Sequence, residues 1–332
     1  MKDLSQSDSD IQYIQLGGTH TVAISSNPHK IYSWGWNDYF QLGRENQYPD
    51  KMSQSANQVH LPYAGLKIKT ATCGEDHNFL LDYDNNIWCW GLNNKGQLGL
   101  GHRSNIEYPI RAELVPKHLK IKDIKSKYHT NCLITECGKA FIWPKQKPDG
   151  DYVLKPTELL FPLKTLIVSI SCGFQFTCFL TNNGLVYTMG LENDHGQLGL
   201  GDIAPRNTPT LIDSLKNAGE KMGTIECGFA HVIAKSSLGK VFTWGWGEKG
   251  QLGHGKFTNE LAPRFVVFNS VIKKKVLQIQ AGFKCSMVLL ENKKILWWGS
   301  NGSILQQNTP KELNLASKVK NYLGIIIFFF FF

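Results

Sequence analysis

One phrase recurs along this chain and restricts its architecture more than any bulk property. It reads Trp90-Gly91 through Gly96-Gln97-Leu98-Gly99-Leu100-Gly101, and again Trp244-Gly245 through Gly250-Gln251-Leu252-Gly253-His254-Gly255. Weaker copies run from Trp34-Gly35-Trp36-Asn37 to Gln41-Leu42-Gly43, and from Met189-Gly190 to Gly196-Gln197-Leu198-Gly199-Leu200-Gly201. A long period of this kind marks a repeat architecture, in which each unit buries its apolar face only by stacking on its neighbours. Such arrays offer binding surfaces before they offer a reaction centre.

A second anchor keeps step with the first. The slots are Gly17-Gly18-Thr19-His20, Gly74-Glu75-Asp76-His77, Ser126-Lys127-Tyr128-His129, Gly173-Phe174-Gln175-Phe176, Gly228-Phe229-Ala230-His231 and Gly282-Phe283-Lys284-Cys285. They recur at roughly fifty residues, a period that solenoids, propellers and arrays share. After each slot comes an apolar run such as Val232-Ile233-Ala234, then a polar turn such as Asn182-Asn183-Gly184. A second β-branched and aromatic run follows, such as Val241-Phe242-Thr243-Trp244. Such runs between Asn and Gly turns are the hairpin signal. A Pro-containing stretch such as Asn207-Thr208-Pro209-Thr210 and a strand leading to the next slot complete each unit. No amphipathic helix of three turns is evident.

Four short strands per unit make a blade, and the fold expected is an all-β propeller of six blades, each a four-stranded antiparallel sheet. Ile11 to Ser33 is expected to supply the later strands of a composite blade, and Trp297 to Val319 the earlier ones. That splice would close the ring by pairing N- and C-terminal strands. Gly96 and Gly250 sit where a turn needs positive φ, and the Trp before Gly91 or Gly245 is placed to pack on a neighbouring blade. The recurring His reads as a structural pin bonded to backbone in its own blade, not as a catalytic base.

The chain's 332 residues are 42% hydrophobic and 19% charged, enough to bury a large core. We take residues 1–10 as a polar tail, 11–323 as a single propeller domain, and 324–332 as an artefactual or disordered apolar tail. That tail, with Phe328 to Phe332, is far shorter than the roughly 20 residues a membrane-spanning helix needs. The net charge of +9 favours acidic partners such as nucleic acid or an acidic protein face. The charge is dispersed, and its tightest run, Lys273-Lys274-Lys275, reads as a solvated loop ahead of a binding patch. Of the eight cysteines, Cys73, Cys172 and Cys227 each precede a slot glycine. One position reused in several units is a buried apolar site, and no Cys-x-x-Cys pair carries zinc spacing. These are read as structural thiols of a reducing compartment, cytoplasmic or nuclear.

The Trp-Gly and Gly-Gln-Leu-Gly-x-Gly phrases resemble the regulator-of-chromosome-condensation repeat family, over roughly residues 11 to 320. The resemblance implies a propeller, usually of seven blades where six are visible here, and several roles. Some members are guanine-nucleotide exchange factors for Ran-type GTPases. Others are recognition domains beside ubiquitin-ligase domains, exchange-factor-like proteins of secretion or cilia, or a plant ultraviolet photoreceptor. Exchange-factor members push a β-wedge into the GTPase. Here the third phrase breaks at Trp143-Pro144 and is replaced by Lys145-Gln146-Lys147-Pro148-Asp149-Gly150-Asp151-Tyr152-Val153-Leu154-Lys155, whose Pro-Asp-Gly suits a hairpin turn. A wedge and simple decay of one repeat both account for that break. Exchange factors also use an aspartate in a Gly-x-Asp-His slot after the wedge. The slot there reads Gly173-Phe174-Gln175-Phe176, and only Gly74-Glu75-Asp76-His77 carries the aspartate. The photoreceptor role needs Trp within Gly-Trp-Arg-His-Thr slots, and none of the six has one.

Candidate partner-binding residues are Lys145, Lys147, Asp149, Asp151, Tyr152, Asp76, Trp36 and Trp246, the two tryptophans because aromatic rings on an exposed face anchor partners. No catalytic, cofactor or metal residues are expected. Gly-x-Ser-x-Gly, the phosphate loop and His-Glu-x-x-His are all missing. The glycines that mimic a dinucleotide fingerprint have no following helix. The reading is a protein-interaction propeller, a candidate exchange factor or regulator of a small GTPase. The alternative is a non-catalytic scaffold, adaptor or substrate-recognition platform, chromatin association included. No motif specifies nucleic acid, and no membrane span is expected.

Overall fold

Period-two runs of β-branched and aromatic residues between glycine turns produce strands almost throughout. The computed structural model describes residues 11–25, 30–44, 52–62, 65–146, 150–268, 275–300, 302 and 306–313. Its one described helix is the short Asp213–Asn217. Two compact units are present, Met1–Leu159 and Leu160–Phe332.

In the first unit the first blade is Ile11–Leu16, His20–Ser25, Ile31–Trp36 and Met52–Gln58. The second is Ile68–Cys73, His77–Asp82, Ile87–Gly91 and Ile106–Ala112, and the third is Ile121–Lys127, Thr130–Thr135, Ala140–Trp143 and Thr157–Leu159. The second unit holds the fourth blade (Ile167–Cys172, Phe176–Thr181, Val186–Gly190, Arg206–Leu211) and the fifth (Met222–Cys227, His231–Ser236, Val241–Gly245, Glu260–Phe265). Its sixth blade is Val276–Ala281, Cys285–Leu290, Ile295–Ser300 and Gln306–Glu312. All six are four-stranded antiparallel meanders, as expected.

The sheets differ from the expected splice in one respect. Each is contiguous in sequence, the first drawn wholly from Ile11–Gln58 and the last wholly from Val276–Glu312. Ile11–Leu16 supplies the first strand of its own sheet and Gln306–Glu312 the fourth strand of its own.

Burial falls from the second strand outward. His77–Asp82 and Phe176–Thr181 are buried at every residue, whereas Glu260–Phe265 and Gln306–Glu312 have no buried residue. The outer strands carry Pro109, Pro209, Pro263 and Pro310, each where the register with the third strand shifts. Proline lacks the N–H a ladder needs, so it is confined to edges and bulges.

The four largest apolar clusters lie between consecutive blades. Val22, Ile24 and Ile31 of the first pack with Ile68, Ala71 and Trp90 of the second, and Phe79, Cys89 and Leu98 of the second with Ile124, Leu133 and Trp143 of the third. The fourth and fifth blades share Phe176, Leu180, Val232 and Trp244, and the fifth and sixth share Ile233, Val241, Val288 and Trp298.

The phrase accounts for this packing residue by residue. Asn93 and Gln97 close their own turn, Leu98 N–H donating to Asn93 Oδ1 at 2.9 Å and Lys95 N–H to Gln97 Oε1 at 2.8 Å. The closing glycine is the floor for the next blade's tryptophan. Gly199 has φ +71, and a Cβ there would stand 2.6 Å from Trp244 Nε1. Gly43, Gly99 and Gly253 meet Trp90, Trp143 and Trp298 in the same way. The glutamine carbonyl then accepts the indole N–H: Trp90 Nε1 to Gln41 O, Trp143 Nε1 to Gln97 O and Trp244 Nε1 to Gln197 O, each 3.0 Å.

The slot histidine is also a cross-blade group, not the intra-blade pin expected. His20 Nε2 donates to Asn78 Oδ1 at 2.7 Å, and His77 Nε2 to Asn131 Oδ1 at 2.7 Å. Each asparagine passes the bond on, Asn78 Nδ2 to Gln41 O and Asn131 Nδ2 to Gln97 O. Ser286 plays this part for His231, accepting from Nε2 at 3.0 Å and donating to Gln251 O at 2.9 Å. The imidazole lies on its own slot glycine, since a Cβ on Gly74 would stand 2.0 Å from His77 Cε1. A buried ring fixed in this way finds a partner where the next blade begins, and its own backbone groups are committed to the strand ladder.

Registers also move the third slot by one residue. Asn131 pairs with Ser126 as Asn78 pairs with Cys73, so the slot is Lys127-Tyr128-His129-Thr130. His129 therefore stands where Asp76 stands, and Thr130 where His77 stands.

In the fourth blade Phe176 replaces the histidine, and the residue facing it in the fifth is Val232, both within one apolar cluster. The missing donor is matched by a missing acceptor. Phe176→His alone leaves a buried imidazole facing a methyl group and should cost about 1–3 kcal/mol. Adding Val232→Asn should recover at least about 1 kcal/mol as a coupling term in a double-mutant cycle. Urea unfolding of the four proteins measures it, and simple additivity would contradict the pairing.

Candidate protein-interaction surfaces

Slot loops and the residue after each Trp-Gly pair share one end of their blades. Trp36 N–H donates to Thr19 O at 3.0 Å, Leu92 N–H to Asp76 O at 2.9 Å and Trp246 N–H to Ala230 O at 2.8 Å. The second slot residue links blade to blade through backbone. Gly18 N–H donates to Glu75 O and Glu75 N–H to Tyr128 O in the first unit, both at 2.8 Å. In the second unit Phe174 N–H donates to Phe229 O at 2.9 Å and Phe229 N–H to Phe283 O at 3.4 Å.

In the first unit this end is acidic. Asp76 Oδ1 accepts from Thr19 Oγ1 at 3.2 Å and from Gln41 Nε2 at 3.0 Å. Burial raises the Asp76 carboxyl above the usual carboxylate range, and the Glu75 and Asp38 charges add to the rise. His129 Nε2 lies 3.3 Å from Glu75 Oε2, and its imidazole is held down by burial and by Lys95. Trp36 is 44% exposed. These groups can receive a basic or hydrogen-bonding contact. The neighbouring slot histidines serve the seam instead, because burial pushes His20 down to about 4 and His77 down to about 3.

The third blade carries the hairpin. Lys145 pairs with Val153 and Gln146 with Tyr152 in a two-stranded sheet of their own. Asp151 forms an ion pair with Arg103 of the second blade. Gly101 N–H donates to Leu154 O at 3.2 Å, and Leu154 lies against Gly96. Gly201 bonds Leu261 O and Gly255 bonds Asn308 O in the corresponding way. The blade thus returns to regular geometry at Leu154, and only the phrase loop has been exchanged for a hairpin. Lys147 and Asp149 lie outside the described residues. Asp76 and the hairpin make their contacts with different residues.

Trp246, in the second unit, belongs to a group that the sequence reading missed. Phe174 and Phe229 stack with centroids 4.7 Å apart, and Phe229 and Phe283 with centroids 4.4 Å apart. Trp246 meets Phe229 at 6.3 Å edge-on and His195 at 5.6 Å. Lys284 Nζ lies 5.0 Å from the Phe283 centroid and 5.9 Å from that of Trp246. The signal was present as Gly-Phe in three consecutive slots. It stands where the photoreceptor pattern has Gly-Trp, so phenyl groups occupy the indole position.

The eight cysteines are thiols, seven of them buried and Cys137 exposed. Among the described residues no group of three or more His, Cys, Asp or Glu could hold a metal ion, and no helix is long and apolar enough to cross a membrane.

The regulator of chromosome condensation (RCC1) repeat matches residues 29–81, 84–133, 183–234 and 239–289, and a second form of the repeat matches 68–97 and 167–197. The chain belongs to this repeat family. It is 27% identical over 317 residues to the Ultraviolet-B receptor UVR8 of Arabidopsis thaliana, covering 92% of this chain and 70% of the receptor. It is 26% identical over 286 residues to human Protein RCC2, covering 77% of this chain and 53% of RCC2, about half of that relative's length. Human WBSCR16 has a similar structure at TM-score 0.79 and 19% identity, covering 93% of this chain and 82% of that one. Yeast RCC1 (Prp20), crystallised bound to Kap60, matches at TM-score 0.79 and 19% identity, over 95% and 77%. The fold is therefore that of the RCC1-type propellers, a protein-interaction architecture.

The buried histidines give the seams a pH dependence. Each is neutral when folded and takes up a proton when unfolded below the ordinary value of 6.5. Their contribution is complete above that pH and is lost progressively as pH falls toward the folded values. Between pH 6.5 and 5, above the main carboxylate range, each should remove up to about 1.4 kcal/mol of stability per pH unit. His77→Gln should lower stability at pH 7 and flatten this slope by about one proton, as urea unfolding across the window would show.

Proposed function

We propose that this chain is a protein-interaction propeller that regulates a small GTPase of Ran type or similar. The observation that carries the reading is the third-blade hairpin. One phrase loop is exchanged for a separate two-stranded sheet, while its flanks keep the anchors of a regular blade. Decay of a repeat would loosen those anchors, whereas a contact element needs them. Lys145, Asp151 and Tyr152 would meet the partner from the hairpin, and Asp76 with Trp36 from the slot end. The structure of the relative Prp20p was described together with its binding to Gsp1p and histones, which supports a protein partner and gives chromatin a place beside it. A nuclear or cytoplasmic setting fits both.

As an exchange factor the propeller would hold the nucleotide-free GTPase more tightly than the loaded one. It would then release nucleotide by shifting a population, with no bond made or broken. The second reading is a scaffold or adaptor without exchange activity. Gln175 favours it, standing in the slot after the hairpin where the exchange-factor pattern has aspartate.

Release of a fluorescent guanine nucleotide from Ran-, Rab- and Arf-type GTPases decides between them. Acceleration of at least tenfold with one of them is expected, and replacing residues 145–153 by a short Gly-Ser loop should abolish it while leaving the melting temperature within a few degrees. No acceleration with any GTPase would leave the scaffold reading. Full exchange by the loop variant would remove the hairpin from the mechanism.

A further inference from the structure

Slot loops close one end of each blade, and the turns between second and third strands close the other. In the second unit those turns are 182–184, 237–239 and 291–293, and each bonds a segment about to enter a first strand. Asn182 N–H donates to Leu166 O at 3.0 Å, Ser237 N–H to Lys221 O at 2.8 Å and Glu291 N–H to Lys275 O at 2.9 Å. The four most exposed large apolar side chains among the described residues all stand at this end: Leu163 at 97%, Leu160 at 84%, Leu238 at 82% and Val267 at 71%. Val267 follows Val266, whose N–H donates to Val241 O at 2.8 Å where a third strand begins. The fold does not ask for leucine at these tips. The place of Leu238 is taken by Asp84, Asn183 and Asn292 in three other blades, and small polar residues suit such turns. Leu163 stands on a turn closed by Thr165 N–H donating to Pro162 O at 3.1 Å. Phe161 anchors the base of that turn, edge-on to Phe179 and Tyr187 with centroids 5.3 and 5.5 Å away.

Lysines are set among the tips. Lys164 follows Leu163 directly. Lys221 lies against the turn of the fourth blade, since a Cβ on Gly184 would stand 2.8 Å from Lys221 Cβ. Lys275 Cγ is 3.9 Å from the place of a Cβ on Gly239, the neighbour of Leu238. Lys164, Lys221 and Lys275 are exposed and form no ion pair among the described residues. Lys240 pairs with Glu220 and Lys294 with Glu312. Asp213 and Glu291 also lie at this end, where lysines outnumber them.

Aliphatic tips with cations beside them have a specific complement. We propose that the turn end of the second unit docks on the surface of an anionic lipid bilayer. Leu163 and Leu238 reach into the headgroup boundary, and Lys164, Lys221 and Lys275 meet the lipid phosphates and carboxylates. Apolar residues scattered singly over a surface are ordinary, but here the four most exposed gather at one end of one unit. Peripheral binding of this kind adds buried apolar area to attraction for anionic lipid. Protein interfaces are enriched in aromatic residues and arginine and depleted in lysine, whereas these tips are leucine and valine among lysines. Nucleic acid would use the lysines through its phosphates and leave the leucines in water. The inference goes beyond the GTPase reading and uses none of its residues.

The test is co-sedimentation of the full chain with vesicles of phosphatidylcholine alone and of phosphatidylcholine and phosphatidylserine in equal parts, beside titration of a double-stranded oligonucleotide. Saturable binding to the anionic vesicles, at least tenfold tighter than to phosphatidylcholine alone, is expected. The charge-neutral double variant Leu163→Ser with Leu238→Ser should weaken it at least tenfold, and Lys221→Glu with Lys275→Glu likewise, both with unchanged melting temperature. Trp36→Ala in the other unit should leave it intact. Lack of saturable binding, equal binding to both vesicles, full binding by the serine variant, or preference for the oligonucleotide would overturn the proposal. Nucleotide release is read separately: a chain that binds the vesicles without accelerating release counts against the GTPase alone, and the converse against this surface alone.

Discussion

The glutamine carbonyl of the Gln-Leu-Gly turn is the acceptor on which the seams between blades depend. It is fixed from its own side, because the glutamine side chain and the preceding asparagine close the turn that carries it. From the other side it takes an indole N–H and, where the next blade has one, an asparagine or serine donor. The donor residue also receives the slot histidine, so turn, indole and imidazole form one buried network in the first-to-second and second-to-third seams, while in the fifth-to-sixth seam Ser286 alone bonds the glutamine carbonyl. Such networks rigidify a core when every member is satisfied and are costly when one is missing. The fourth blade illustrates the rule by its exception, since its phenylalanine and the valine opposite leave the network together.

Because the network uses the phrase, the fourth slot residue and the residue after it, the second and third slot residues are left free to vary. Their backbone is committed, and of their side chains Asp76 alone reaches the phrase, accepting from Gln41 Nε2. The first unit fills these positions with Glu75, Asp76 and His129, and the second with phenylalanines and a lysine. One scaffold therefore presents an acidic, hydrogen-bonding end in one unit and an aromatic end with a single cation in the other, at no cost to the seams. Fold and recognition are separated within a four-residue motif.

The blades were legible because glycine, tryptophan and glutamine recur at positions where geometry allows little else. Gly199 is one such position: its φ is +71 and an indole lies where its side chain would be. The third slot was placed one residue early because Lys127 stands where other slots have glycine, and only strand register reveals the offset. The partner of the slot histidine escaped notice because it is distant in sequence, Asn78 for His20 and Asn131 for His77. The grouping of strands into sheets contiguous in sequence was not legible for a related reason: sequence shows that strands exist, but not which neighbour completes a sheet. The break at Trp143-Pro144 was visible, whereas the anchoring of its far side at Leu154 was not, since Leu154 has the same role as Asn308 without resembling it. The phenylalanine column was written plainly in three Gly-Phe pairs, but without the relay nothing showed that those rings meet.

The prolines of the outer strands have a further consequence. Pro109, Pro209, Pro263 and Pro310 each remove a hydrogen-bond donor from the rim of a sheet, at the point where the strand also bulges. A visiting strand needs an unbroken row of donors to zip onto an edge. Four of the six rims are thus refractory to templated growth, by which a chain of many short strands might otherwise polymerise with its own copies. Repetition, usually a hazard in β proteins, is here made safer by the same repetition: four of the six copies of the blade bring their own stop.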